Sequence, residues 1–275
     1  MRKIITLLTS SLLMVFASAT ANAQTSEALT AQALDALGEP QINVKNYESL
    51  QSGARLYVDY CLACHSLEFQ RYNITARDIG LQEEDIQKLI NTGSYDPREA
   101  EFIRTKDGDL IHTAMDRRDA KVWLGVSPPD LSTIARAKGP DYVFKYLLSF
   151  YEDPSRPTGM NNIAFPNAGM PNVLAELQGI HQPVIEKVAI GECDMNNPDE
   201  CQFEDVVVGV EKVSDGAMTE LEFRKAVNDV TNFLTYVSEP AQLERQKYGP
   251  WVLGFLVIFT ILAYALNREY WKDVK

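Results

Sequence analysis

Cys61-Leu62-Ala63-Cys64-His65 is the stretch of this chain whose residue types and spacing could do chemistry. Two thiols separated by two residues lie about one helical turn apart, so each can add to a vinyl group of one porphyrin, and the histidine that follows brings an imidazole beneath the metal. The pattern reads as the covalent attachment site of a c-type haem, with Cys61 and Cys64 as thioether residues and His65 as an axial iron ligand. The competing reading is a thioredoxin-like redox pair. Such a pair usually opens a helix after a buried apolar strand, whereas Ser52 to Tyr60 carries Leu56, Tyr57 and Tyr60 at helical spacing ahead of the motif.

A second iron ligand has to come from another segment. Between Asp153 and Asn172 the chain holds Pro154, Pro157, Gly159, Pro166, Gly169 and Pro171, which is turn chemistry over a length that inside a compact domain is usually functional. That stretch contains Met160 and Met170. Met170 is preferred, because Pro171 restricts it to extended backbone and Gly169 permits a tight turn, so the thioether can be presented to iron. Met115 and Met160 stand as alternatives, and His112 or His181 would make a bis-histidine iron.

The elements that must position these groups are mostly helical in pattern. A lead-in from 24 to about 45 carries a short helix around Ala28 to Leu37, and the helix bearing the motif follows it. Further helices are expected over Gln82 to Asn91, over Asp116 to Leu124 ahead of Pro128-Pro129, and over Asp141 to Tyr151 after Gly139-Pro140. Val184 to Ile190 and Phe203 to Val213 are β-branched and alternating, as in a hairpin, with Cys193 and Cys201 at its acidic tip; in an oxidising compartment these two are expected to form a disulfide. Thr219 to Val237 gathers Ala226, Val227, Val230, Phe233, Leu234 and Val237 on one face, an amphipathic helix suited to pack on the motif helix, and Glu239-Pro240 ends it.

Both termini follow membrane logic. Arg2 and Lys3 precede an apolar run and Ala21-Asn22-Ala23 has the small-x-small form of a cleavage site, so 1–23 reads as a signal peptide. Trp251 to Leu266 carries no charge and spans about 24 Å as a helix, with Tyr248, Trp251, Tyr270 and Trp271 as interfacial aromatics and Arg268 and Lys272 able to reach outward. The expected division is a signal peptide (1–23), a periplasmic haem domain (24–240), a linker (241–249), a transmembrane anchor (250–267) and a cytoplasmic tail (268–275), the chain sitting in a bacterial inner membrane. The net charge of −12 argues against nucleic acid as a partner. Acidic runs at Glu83 to Asp85, Asp96 to Glu101 and Asp194 to Asp205 would instead steer a basic protein.

Several segments in this order resemble one family. They are Ser49-Leu50-Gln51 through Tyr57 and the haem motif to Arg71-Tyr72-Asn73, then Pro128-Pro129-Asp130-Leu131-Ser132 with Ala135-Arg136-Ala137. Asp141-Tyr142, Gly169-Met170-Pro171, and Asp229-Val230 with Asn232-Phe233-Leu234 and Glu239-Pro240 before the apolar tail complete the set. The pattern is similar to the cytochrome c1 family, the haem-bearing subunits of the quinol:cytochrome c oxidoreductase or cytochrome bc1 complex. The resemblance implies a mainly α, cytochrome c-like haem domain with a small β-hairpin insertion plus one C-terminal transmembrane helix. It implies one haem c on Cys61 and Cys64, with His65 and Met170 as axial ligands and Arg136 or Lys138 near a propionate. It also implies a one-electron carrier, not an enzyme on its own, assembled with cytochrome b and a Rieske iron–sulfur protein and passing electrons to a basic or tethered cytochrome c. Where other members carry further prolines after the ligand methionine, this chain has Asn172-Val173. A haem enzyme with an open sixth position, or a dehydrogenase-linked cytochrome, is the rival reading.

Overall fold

The computed structural model describes residues 26–82, 85, 93–96, 101–190 and 202–273. The expected signal peptide, most of the expected Gln82 to Asn91 helix, and Cys193 and Cys201 lie outside them.

The centre of the domain is a crossing of two helices, α2 (Tyr47–Tyr60) and α8 (Glu220–Ser238). The first starts at Asn46, whose side chain accepts from the Ser49 amide, and the second at Thr219, which forms a reciprocal capping box with Glu222. They approach so closely at Gly53 that a Cβ there would lie 2.1 Å from the Asp229 carbonyl oxygen and 2.8 Å from the Phe233 Cβ. Only a glycine fits. Beside it Tyr57 and Phe233 place their ring centroids 5.8 Å apart, and Leu50, Val227, Leu234 and Val237 are buried around them. The expected packing of the amphipathic helix on the motif helix is what the structure shows.

A polar seam runs along that crossing. The Ser49 hydroxyl donates to buried Asp229 at 2.6 Å and accepts from Asn232 at 3.1 Å, and Lys225 completes the carboxylate at 2.9 Å. Asn232 also clamps the backbone of Asn43 from both sides, and Asn228 accepts from the Gln41 amide at 2.7 Å. The aperiodic lead-in is thereby tied down after α1 (Ser26–Ala36), which itself is held by the ion pair of Asp35 with Lys145 at 2.9 Å.

The remaining pieces wrap the crossing. β1 (Leu67–Arg71) pairs antiparallel with β4 (Leu110–Ile111), with α3 (Tyr72–Asp78) between them in sequence, and β2 (Gly93–Asp96) pairs with β3 (Glu101–Arg104). α4 (Arg117–Leu124) is capped by Asp116 and ended by Gly125 at φ 75°, close to the expected bounds. α5 (Ile134–Lys138) and α6 (Pro140–Leu148) follow, joined through Gly139. The helix expected to reach Tyr151 stops at Leu148, because Phe150–Glu152 forms β5, which pairs with β6 (Met160–Asn162). The strand pair offers Phe150 and Tyr151 an extended, buried setting that a further helical turn would not.

α7 (Ala175–Gln178) leads into the expected hairpin, β7 (His181–Ile190) against β8 (Gln202–Lys212), with an irregularity between Val184 and Ile185. Finally α9 (Gln242–Tyr270) runs unbroken for 29 residues, about 43 Å. It absorbs the segment expected as a linker and passes through Pro250. None of it is buried, and by length and composition it can cross a membrane. The domain is thus mainly α with four two-stranded sheets among the described residues, plus one apolar C-terminal helix.

Candidate haem centre

The cysteine pair continues the last turn of α2. The amides of Cys61 and Leu62 both donate to the Tyr57 carbonyl, and those of Cys64 and His65 both donate to the Cys61 carbonyl, so the motif is wound as one tight turn with Leu62 buried and Ala63 exposed. Both thiols are free and half-buried. Burial, with Cys64 nearby, pushes the Cys61 thiol up to about 12, and burial raises Cys64 as well. A disulfide-exchange pair works through a thiolate of depressed pKa, so the redox-pair reading finds no support in these two thiols.

His65 is buried and held from three sides. Its Nδ1 lies 2.7 Å from the Pro129 carbonyl oxygen, which fixes the tautomer with the proton on Nδ1 and leaves Nε2 as the lone-pair nitrogen. Its own carbonyl accepts from the Tyr57 hydroxyl. Burial lowers its pKa, against the opposing pull of the Pro129 carbonyl and of Asp130, which favours the neutral imidazole that a metal needs. The Pro128 to Ser132 segment is bolted to the motif: Leu131 donates to the Ser66 carbonyl, Asp130 accepts from the Glu68 amide at 2.8 Å, and Ser132 accepts from the Phe69 amide at 3.1 Å. Thr113 closes the other flank, its hydroxyl donating to the Ala63 carbonyl at 2.6 Å and its amide to the Ser66 hydroxyl.

Met170 sits half-buried on the far loop, and the Tyr146 hydroxyl on α6 donates to its sulfur at 3.6 Å. Gly169 does not have the positive φ of a tight turn. Its lack of a side chain is needed because a Cβ would meet Val126 Cγ2 at 2.8 Å, so the reason for glycine is space. Asn172 anchors the exit from the loop: its Oδ1 accepts from the Leu174 amide and its Nδ2 donates to Gln178, both at 3.1 Å.

The other candidate residues are dispersed. Met160 lies in β6 opposite Glu152, and Met115 follows Thr113 and lines, with Cys64 and Arg117, a cavity of about 20 Å³. His112 is exposed, and His181 opens β7 opposite Lys212. Arg136 and Lys138 are both exposed on α5, but they point to different neighbours: the Arg136 charge acts on Glu239, whereas the Lys138 ammonium lies 5.6 Å from the Tyr142 ring centroid, itself stacked on Tyr146 at 6.0 Å. Leu131, Ile134, Tyr146 and Val173 pack on the core with Cys61 yet stay only half-buried. An apolar wall left partly uncovered, two free thiols on one turn, an oriented neutral imidazole and a hydrogen-bonded thioether are a donor set that fits a haem.

The motif does not predict the groups that hold the candidate ligands, the Pro129 carbonyl against His65 and the Tyr146 hydroxyl against Met170. Pro129 lies in the Pro128 to Ser132 segment of the family resemblance, and Tyr146 falls inside the helix expected over Asp141 to Tyr151. The hydroxyl of Tyr146 at a helical spacing from Tyr142 was the one signal available.

A family model described as the Cytochrome C1 family matches residues 41–274. Cytochrome c1 of Allochromatium vinosum is 42% identical over 238 residues, covering 86% of this chain and 89% of the relative. A protein named ammonia monooxygenase gamma subunit, from Nitrosomonas europaea, is 38% identical over 239 residues, 86% of this chain and 88% of the relative. Cytochrome c1 of Cereibacter sphaeroides is 24% identical over 246 residues, 82% of this chain and 81% of the relative. The chain belongs to the cytochrome c1 family. It is therefore a membrane-anchored carrier of one covalent haem c, the electron-carrying subunit that partners cytochrome b and the Rieske protein in the cytochrome bc1 complex, and not an enzyme by itself.

Proposed function

We propose that Cys61 and Cys64 hold the haem through thioether bonds, that His65 and Met170 are its axial ligands, and that the haem domain faces the periplasm and delivers electrons to a basic or tethered c-type cytochrome. The observation that carries this reading is the His65 imidazole, buried directly after the cysteine pair with Nδ1 committed to the Pro129 carbonyl at 2.7 Å. The bound haem supplies a one-electron couple between a Rieske centre and a c-type acceptor. The chain supplies everything that orients it. Pro129 orients the imidazole, Tyr57 holds the His65 backbone carbonyl, Tyr146 holds the thioether, and Leu131, Ile134 and Val173 offer half-buried apolar surface packed on the core with Cys61. Were His65 and Met170 both to hold the iron, oxygen or peroxide would have no free site on it. Arg136 or Lys138 would meet a propionate; Arg136 acts on Glu239, while the Lys138 ammonium lies over the Tyr142 ring at 5.6 Å.

Replacing Met170 by leucine should lower the haem potential, open the ferrous haem to carbon monoxide and stop quinol-driven reduction in membranes. An unchanged potential would dismiss the ligand. The net charge of −12 supports a basic acceptor: reduction of a basic cytochrome c should slow as salt is added, and a rate indifferent to ionic strength would remove electrostatic docking.

A further inference from the structure

The Tyr146 hydroxyl has one partner in the described structure, the sulfur of Met170. A thioether sulfur carries two lone pairs, one for a metal and one free to accept a weak hydrogen bond, and sulfur's larger radius makes 3.6 Å a bonding distance. Both ends of the contact are held in place. The Tyr146 ring meets Phe150 edge-on at 5.1 Å and stacks on Tyr142 at 6.0 Å, and its carbonyl accepts from the fully buried Asn162 at 2.8 Å. The methionine is fixed by Gly169 against Val126 on one side and by the Asn172 turn on the other. Asn162 belongs to the same proline-rich stretch as Met170, so a single residue sets the loop in register with the helix that carries the phenol.

We propose that Tyr146 is a positioning residue for the sixth ligand: its hydroxyl orients the Met170 thioether and, by drawing density from the sulfur, tunes the potential of the haem upward. The proposal rests on the reading of Met170 as ligand. Sulfur that shares a lone pair with a phenol donates less to iron. The ferric state, which needs that donation more, is the one disfavoured. No proton or electron is transferred to the tyrosine.

The test is Tyr146→Phe in the intact, haem-loaded complex, followed by redox titration and by the thioether-to-iron charge-transfer band of the oxidised haem. The expected result is an about threefold lower ratio of reduced to oxidised haem at a fixed ambient potential, roughly 28 mV at 59 mV per tenfold for one electron. The band should persist but shift, and carbon monoxide should bind the reduced haem several times faster. A ring-fluorinated tyrosine at position 146, a stronger donor on the same frame, should move the potential the opposite way; it also decides the matter if the phenylalanine variant fails to assemble. A potential that stays put in both variants while the band is present overturns the role of Tyr146 alone. A band missing from the unsubstituted protein overturns the Met170 assignment, and this inference with it.

Discussion

The two sides of the haem centre are built by different means. On the His65 side the motif is the last turn of a helix whose neighbour crosses it at Gly53, and its hydrogen bonds are backbone bonds or reach a backbone carbonyl, as from Nδ1 to Pro129. On the Met170 side, residues 153–172 hold together mainly through side chains. Asp153 accepts from Ser155 and Asn161, Asn161 accepts from the amides of Asn162 and Asn167, and Arg156 reaches the side chain and carbonyl of Asn167, which sits at φ 64°. Helical backbone is cooperative with its packing, so the first side shares the stability of the whole domain. A loop spanned by side-chain bonds can open by itself. His65 is thus held globally and Met170 locally.

That contrast can be broken by mutation. Gly53→Ala should cost the most, about 3 kcal/mol of global stability, because the added Cβ forces the two central helices apart. Denaturant unfolding would show the loss, with the Met170-dependent band intact until the domain melts. Asn162→Ala should cost less globally, about 2 kcal/mol, since it leaves the Phe165 amide without its acceptor and removes one of the bonds made by the Tyr146 carbonyl and by the Ser149 hydroxyl. Its signature is local: carbon monoxide should bind the reduced haem before any unfolding. If the two variants lose the band and the fold together, the division into global and local halves is wrong.

The smallest effect sharpens the same division through pH. Hydrogen bonds from Ser155 and then Asn161 hold the Asp153 carboxyl below its ordinary 3.8. A depressed folded value means that its contribution is present above the unfolded pKa and is lost as pH falls through the folded one. The loop should therefore loosen only below about pH 4, earlier than the helical side, and Asp153→Asn should remove that acid step. Stopped-flow carbon monoxide binding across the acid range reads it.

Helical period found α2 and α8, and alternation found the β7–β8 hairpin, because those elements repeat a local pattern that burial rewards. It overran α6, where Phe150 continues the apolar spacing yet pairs with Asn162 across a turn. Turn chemistry marked 153–172 as a special stretch without showing how Asn161 and Asn162 would knit it. Gly169 was read as a turn residue when the need was room beside Val126, a residue far away in sequence.

What the amino-acid order carries alone is the local pattern: two cysteines and a histidine spaced as in a haem-attachment motif at Cys61 to His65, an apolar tail and a mainly helical domain. Spacing within one turn and polarity along one segment are local quantities, legible without a fold. Which carbonyl turns His65, and which phenol faces Met170, came only from the tertiary structure. Pro129 stands 64 positions from His65 and Tyr146 stands 24 from Met170, and hydrogen bonds at such separations depend on how helices cross, which no local pattern encodes.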